Sequence, residues 1–324
     1  MLEDVDANSG WNGQSLTKTG AGTLILNAEN TYTGSTTISE GTLIATNVEA
    51  LGTGNVTDNA TLEMNTGGDF DNAISGSGRG EIRRRDAHAL RRQFLPGGTT
   101  ISGGTLVASN VEALGTGDIT DNATLELNAG GDFANNIGGT GSVVKSGDKT
   151  LTLSGSNTYT GGTTISGGTL VASNVEALGS GDVTDNATLE LSTGGDFANN
   201  IGGTGSVVKS GDKTLTLSGT NSYTGGTTIS GGTLVANNVE ALGTGDVTNN
   251  ATLELNTGGD FTNAISGSGR SQIRRQDAHA LRRQFLHRRH HHQRRHAGRQ
   301  RRERAGYWRR YRQRHAGAER CRRF

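Results

Sequence analysis

The sequence is short of almost everything that an ordinary globular enzyme uses. Hydrophobic residues make up 31% of the chain and aromatic residues 4%, well below the usual apolar share of a compact domain. That excludes two enzyme-sized cores. There is one Cys, Cys321, and one Pro, Pro96, so no disulfide framework staples the chain. No apolar run is long enough for a membrane-spanning helix. The opening segment MLEDVDANSGWNGQSLTKTG is acidic at the start and lacks an apolar stretch, so no signal peptide is expected within this chain.

What is present is 52 Gly and a charge balance of zero that conceals a partition. Six Arg fall in 79–92 and twenty in 270–324, with all eight His in the same two zones. The remainder carries 5 Lys against 26 Asp and Glu, a net charge of −21. Such an acidic surface favours solubility and resists self-association.

The acidic zone is a repeat. GGTTISGGTLVASNVEALGTGDITDNATLELNAGGDF at 97–133 returns at 161–197 and 225–261, and a diverged copy begins at Gly34. Leu106, Leu170 and Leu234 are evenly spaced, and Phe133, Phe197 and Phe261 keep the same interval. Within a copy, 169–171, 187–191 and 214–217 alternate with period two, are rich in Thr, Val and Leu, and are bounded by Gly, Asn, Asp or Ser. These are strand signals. The segment 174–178 offers one helical turn at most. Thr-Leu starts at 169 and 188, and again at 214 and 233, are 19 apart. That step suits one coil of a parallel β-solenoid, whose coils pair about 4.8 Å apart. The expected fold is therefore all-β: a parallel β-helix with about three coils per 64-residue repeat. A β-sandwich, tandem β-domains and unfolded low-complexity chain are the alternatives.

SLTKTGAGTLILNAENTYTGSTTISEGTLIATN at 15–47, and the related segments at 142–174 and 206–238, resemble the passenger-associated transport repeat of bacterial autotransporters. The shared pattern is Lys, Gly, a Thr-Leu strand, Asn, Tyr-Thr-Gly, Thr-Thr-Ile and Gly-Thr-Leu. The resemblance implies a right-handed β-helix displayed at the cell surface and held there by a C-terminal outer-membrane β-barrel. No barrel sequence is found in this chain, which reads as an internal piece of a longer passenger. The implied function is that of a structural or adhesive stalk, meeting host or abiotic surfaces or neighbouring cells through its exposed turns. An enzymatic passenger whose catalytic domain lies outside this stretch is the alternative.

The Arg-rich zones read as the same repeat in another frame. A GC-rich encoding of LSGGNSYTGGTTISGGTLVAS, read two nucleotides late, gives LRRQFLHRRHHHQRRHAGRQ, the sequence at 281–300. GTGDVTDNATLELN treated likewise gives YWRRYRQRHAGAE, found at 307–319. The interval from Ile74 to Ile101 is one residue shorter than that from Ile137 to Ile165. That is expected if two nucleotides were lost on entering the island and one on leaving. The expected organisation is repeat copy 1 over 1–78, a frame-shifted island looped out at 79–96, copies 2–4 over 97–269, and a disordered frame-shifted tail at 270–324. The loop is expected because Arg and His cannot line a thin apolar core.

Candidate chemistry is sparse. The tail, with Tyr307, Trp308 and Tyr311 among its Arg and a His290-His291-His292 run, carries the charge and stacking groups of a nucleic-acid binder and in vitro metal ligands. Out of frame, it implies no specific nucleic-acid partner. The in-frame zone has neither His nor Cys, which excludes the common nucleophile–base pairs there. Ser142/Lys145 and Ser206/Lys209 have S-x-x-K spacing and Lys18-Thr19-Gly20 is a K-T-G, but that chemistry needs a helix face and these lie in strand patterns. Asp182, Asp185 and Asn186 offer oxygen ligands for calcium, outside any calcium-repeat spacing. A turn satisfying its own backbone is the preferred reading. The glycines at 202–205 lack the Lys-Ser/Thr of a phosphate loop. The Asn-Ala-Thr sequons at Asn59, Asn122, Asn186 and Asn250 follow from composition. No catalytic, metal or cofactor residue is therefore assigned.

Overall fold

A computed structural model describes residues 14–82, 87–89 and 97–274, with the backbone alone at 82 and 87–89. All regular structure among the described residues is β, in 32 short strands forming five sheets with every pairing parallel. They wind into a solenoid of about 13 coils. The solenoid is one compact unit through Thr257 and again over Asn263–Arg274; Gly258–Thr262 belongs to a second.

The strands form where period-two alternation was read. Thr169–Ala172 pairs residue for residue with Thr150–Leu153 below and Thr188–Leu191 above. Both steps equal the Thr-Leu spacing of the sequence, and Ser206–Lys209 follows on Thr188–Leu191 one residue sooner. Alternation sends Leu151, Leu170, Leu189 and Val207 inward as one column, all fully buried. Each such side chain contributes about 1.5–3 kcal/mol of burial, so a one-residue-wide stripe per coil suffices once the main chain is paired above and below. The segment 174–179 is a turn and not a helix: Asn174 Oδ1 accepts the Glu176 N–H at 2.9 Å, and Gly179 N–H reaches Glu176 O at 3.1 Å.

About three coils fill each repeat, with a fraction left over. Ser142–Lys145 stands on Thr124–Leu127 in one sheet, whereas its counterpart Ser206–Lys209 stands on Thr188–Leu191 in another. Coils differ slightly in length: the step from Val143 to its partner Thr163 is longer than that from Val183 to Ile201. A whole number of such coils does not fill a repeat. Successive repeats therefore begin on successive faces.

Where a face leaves its strands, side chains continue the ladder. After Ile137–Gly138 the next coil presents Asn157, which is buried. Its Oδ1 accepts the Ile137 N–H at 2.8 Å and its Nδ2 donates to Ala177 O at 2.6 Å, joining three coils. Asn199, in the coil after that, donates to Gly179 O and Gly181 O at 3.1 and 2.7 Å. Asn221 repeats the arrangement of Asn157 with Ile201 and Ala241. Tyr159 lies beside this ladder, fully buried, with its hydroxyl 2.6 Å from Thr163 Oγ1, which in turn donates to Leu178 O at 3.3 Å. Tyr159→Phe should lower stability by about 1 kcal/mol, the net worth of one such bond, and thermal unfolding would show it.

The Arg-rich island departs from the loop expectation. Arg79–Ile82 pairs in register with Thr61–Met64 and Thr99–Ile101, and Ala87–Ala89 pairs with Gly68–Phe70 and Thr105–Ala108. Coil-to-coil bonds are made by main-chain N–H and C=O, which any residue but proline supplies. The register puts Gly80, buried, between Leu62 and Thr99, and leaves Arg79 exposed with its Nε donating to Thr100 Oγ1 at 2.9 Å. The missing residue is taken up within the coil: Ile82 meets its partner Ile101 one residue sooner than Lys145 meets Ile165. At the other Arg-rich boundary, Arg270–Ile273 is also a strand, paired with Thr252–Leu255. The expectations for 83–86, 90–96 and 275–324 lie outside the described residues.

Candidate functional site

The S-x-x-K pairs are divided by the strand. In Ser142–Lys145, Ser142 is partly exposed and Lys145 fully buried, because residues three apart on a strand point to opposite sides. Lys145 Nζ donates to the carbonyls of Ser146, Gly147 at 3.0 Å and Gly167 at 3.2 Å, closing the corner of two coils. Burial lowers its pKa, against the opposing pull of Asp148. Lys209 repeats this, bonding the carbonyls of Ser210 and Gly211. Lys18 bonds those of Thr19, Gly20 and Glu40. These ammonium groups serve the corners, and among the described residues their hydrogen bonds go to main-chain carbonyls.

The oxygen ligands at 182–186 diverge. Asp182 is exposed and accepts from Asn200 Nδ2 at 3.0 Å, Asn186 Oδ1 takes the Thr204 N–H at 3.3 Å, and Asp185 points inward with no exposure. No cluster of three His, Cys, Asp or Glu able to hold a metal ion occurs among the described residues. The glycines at 202–205 end a strand and turn against Asp185, with no helix after them among the described residues. The sequon residues Asn59, Asn122, Asn186 and Asn250 are exposed, each Oδ1 accepting a main-chain N–H from the coil above. His290, His291, His292, Tyr307, Trp308 and Tyr311 lie outside the described residues.

Sequence reasoning missed a set of buried carboxyls. Asp58, Asp121 and Asp185 end their strands pointing inward, with no solvent exposure. In each, Oδ1 accepts the N–H two residues on, from Ala60, Ala123 and Ala187 at 2.9–3.0 Å. Burial pushes all three up to about 6, opposed by main-chain N–H groups two and four residues on. Each Oδ2 is buried without a partner. The signal was available in the recurrence of Asp-Asn-Ala-Thr, but a turn aspartate and an inward one look alike in sequence.

What remains for contact with other molecules is the outer surface. On one face the outward positions run Thr152, Val171, Glu190, Val208, Thr228 and Thr248, partly or fully exposed and one coil apart. They are mixed in character. Repeated at about 4.8 Å, such a row supports many weak contacts rather than one deep pocket.

Comparison with known proteins agrees with the geometry. The passenger-associated-transport-repeat family matches at 16–45, 143–172 and 207–236. The chain is 32% identical over 286 residues to the adhesin BmaC autotransporter of Brucella suis biovar 1 (strain 1330), a match covering 78% of this chain and 8% of that protein. The chain thus spans under a tenth of the length of the relative it matches. No solved structure matches.

Proposed function

We propose that this chain, a β-solenoid homologue of an autotransporter adhesin that carries three passenger-associated transport repeats, is a length of passenger stalk whose work is structural and adhesive. The single observation that carries the reading is the parallel coil-to-coil pairing, continued by buried Asn side chains where a face leaves its strands, which puts stability in the ladder and leaves the outward side chains free to vary. Homology to such an adhesin implies display at the outer membrane or cell surface. The partners are host or abiotic surfaces or neighbouring cells, met weakly and at many points along the outward rows and turns. The translocator is an outer-membrane β-barrel encoded elsewhere in the parent protein. The role is structural rather than enzymatic: Ser142 and Lys145 stand on opposite sides of their strand, and the in-frame repeats carry neither His nor Cys. With the match confined to 8% of the relative, a catalytic domain elsewhere in the parent is compatible with the same stalk.

Beads coated with the full chain should be retained on epithelial cells or plastic under flow more than albumin-coated beads, and retention should rise with the number of repeats displayed. Equal retention would remove the adhesive part of the reading and leave the structural part. We also infer that 79–96 and 270–324 arose by frame-shift. Long-read sequencing through the repeats should show two nucleotides missing at the start of each zone.

A further inference from the structure

The three inward aspartates have an internal counterpart that tells what they need. The fourth repeat carries Asn249 where the first three carry Asp58, Asp121 and Asp185. Asn249 Oδ1 accepts the Ala251 N–H at 3.1 Å, as the aspartates accept from Ala60, Ala123 and Ala187. Its other arm, an amide, donates from Nδ2 to Arg270 O at 3.0 Å and to Ser271 Oγ at 3.2 Å in the next coil. The corresponding arm of each aspartate is the partnerless Oδ2. The carbonyls equivalent to that of Arg270 belong to Arg79, Ser142 and Ser206. A donor is wanted at that spot, and a carboxylate is not one.

A bound cation is the rival solution, and the packing leaves it no room. A Cβ on Gly78, Gly141 or Gly205 would fall 2.4–2.6 Å from the carboxyl atoms of Asp58, Asp121 and Asp185 respectively. Backbone therefore lies directly against each group, where a calcium ion would demand six or more oxygens. A proton needs no such space.

We propose that Asp58, Asp121 and Asp185 are held as neutral carboxylic acids, each donating from Oδ2 to the coil above, so that the solenoid is an acid-stabilised structure that loosens when they ionise. The facing groups are few. On the same strand and turn they are the N–H groups at 60 and 62, 123 and 125, and 187 and 189. From the next coil they are the glycines named above. Beyond it the Tyr159 hydroxyl lies near Asp121 and the Tyr223 hydroxyl near Asp185, both kept un-ionised by burial. Lys145 and Lys209 give their ammonium groups to corner carbonyls. Among the described residues no cationic side chain holds the three carboxyls, so none of these compensates their negative charge once it forms.

The direction follows from linkage. A carboxyl whose proton is held more tightly in the folded chain stabilises the fold fully below the ordinary aspartate range. That stabilisation is lost progressively as pH rises through the folded-state value of about 6. Most surface carboxylates are already ionised there. The chain also carries eight His, a residue type whose ordinary range overlaps this window, so the comparison must hold them constant.

Thermal unfolding of the full chain, followed by circular dichroism, should give a Tm lower by about 5 °C or more at about pH 8 than at about pH 5. The variant Asp58→Asn/Asp121→Asn/Asp185→Asn keeps every His and should lose most of that difference. A wild-type Tm that does not fall, or an equal fall in the variant, would overturn the proposal. Should the triple variant fail to fold, Asn249→Asp tests the same point in reverse. It should match wild type at about pH 5 and melt lower at about pH 8, and equal melting at both values would sink the idea.

Discussion

Asn157→Ala is expected to destabilise the coils around it by about 2–4 kcal/mol, the cost of leaving two buried main-chain groups without partners. The side chain accepts from the Ile137 N–H below and donates to the Ala177 carbonyl above. Ile137 is paired with Ile119 on its other side, and no strand lies between these two groups because Asn157 stands where one would be. Alanine reaches neither, and water has no access at a position 4% exposed. Asn157→Asp should cost a comparable amount, since its second oxygen would face the Ala177 carbonyl oxygen. Asn200→Ala is the control: its bonds to Thr220 and Asp182 are exposed, and a change within about 0.5 kcal/mol is expected there. Hydrogen exchange reads the result directly, as faster exchange of the Ile137 amide and its neighbours.

Gly139→Ala is expected to be worse, at about 3 kcal/mol or more. Gly139 has φ +107, a conformation L side chains rarely adopt, and its added Cβ would lie 2.1 Å from the Asp121 carbonyl oxygen and 2.7 Å from that carbonyl carbon. Strain and collision both involve backbone, so no rotamer change relieves them. Gly76, Gly203 and Gly267 hold the same position in the other repeats with φ between +103 and +118. Gly20→Ala is the contrast: φ is positive there too, but nothing lies within 4 Å of the new Cβ, and about 1 kcal/mol is expected. Each coil of a solenoid is coupled chiefly to its neighbours, so the loss at Gly139 should be local. Exchange protection should fall across 119–145 and persist across 206–236. Uniform loss along the chain would show that the coils unfold together.

The repeat and its strands were legible because two signals agreed. Period-two alternation at 169–171 and 214–217 marked the strands, and the step between successive Thr-Leu pairs matched the register in which they pair. Polar residues inside the solenoid were not legible. Asn157, Lys145 and Asp121 sit among glycines, serines and threonines that read as turns, and their inward direction is fixed only when coils close over them. The loop expected at 79–96 failed at Arg79–Ile82 and Ala87–Ala89 for a related reason. It treated side-chain composition as decisive where main-chain pairing decides, and Gly80 at an inward register position asks little of the core. The starting face of each repeat was hidden for a different reason. It depends on the remainder left when the repeat is divided among coils of slightly unequal length, which no local pattern announces.

That remainder has a consequence for how such a stalk meets the outside world. About three and a third coils, each rising about 4.8 Å, give every repeat an advance of roughly 16 Å and a rotation of about a third of a circle. Equivalent residues, such as Thr152 and Thr216, therefore lie on a screw whose pitch is three repeats, roughly 48 Å. The stalk has no privileged azimuth: a weak contact site carried once per repeat is offered all round the girth. A flat surface beside it engages every third copy. Avidity then grows with the length of the array in steps of three repeats, and a coil one residue shorter, as between Ile82 and Ile101, leaves the succession of faces beyond it unchanged.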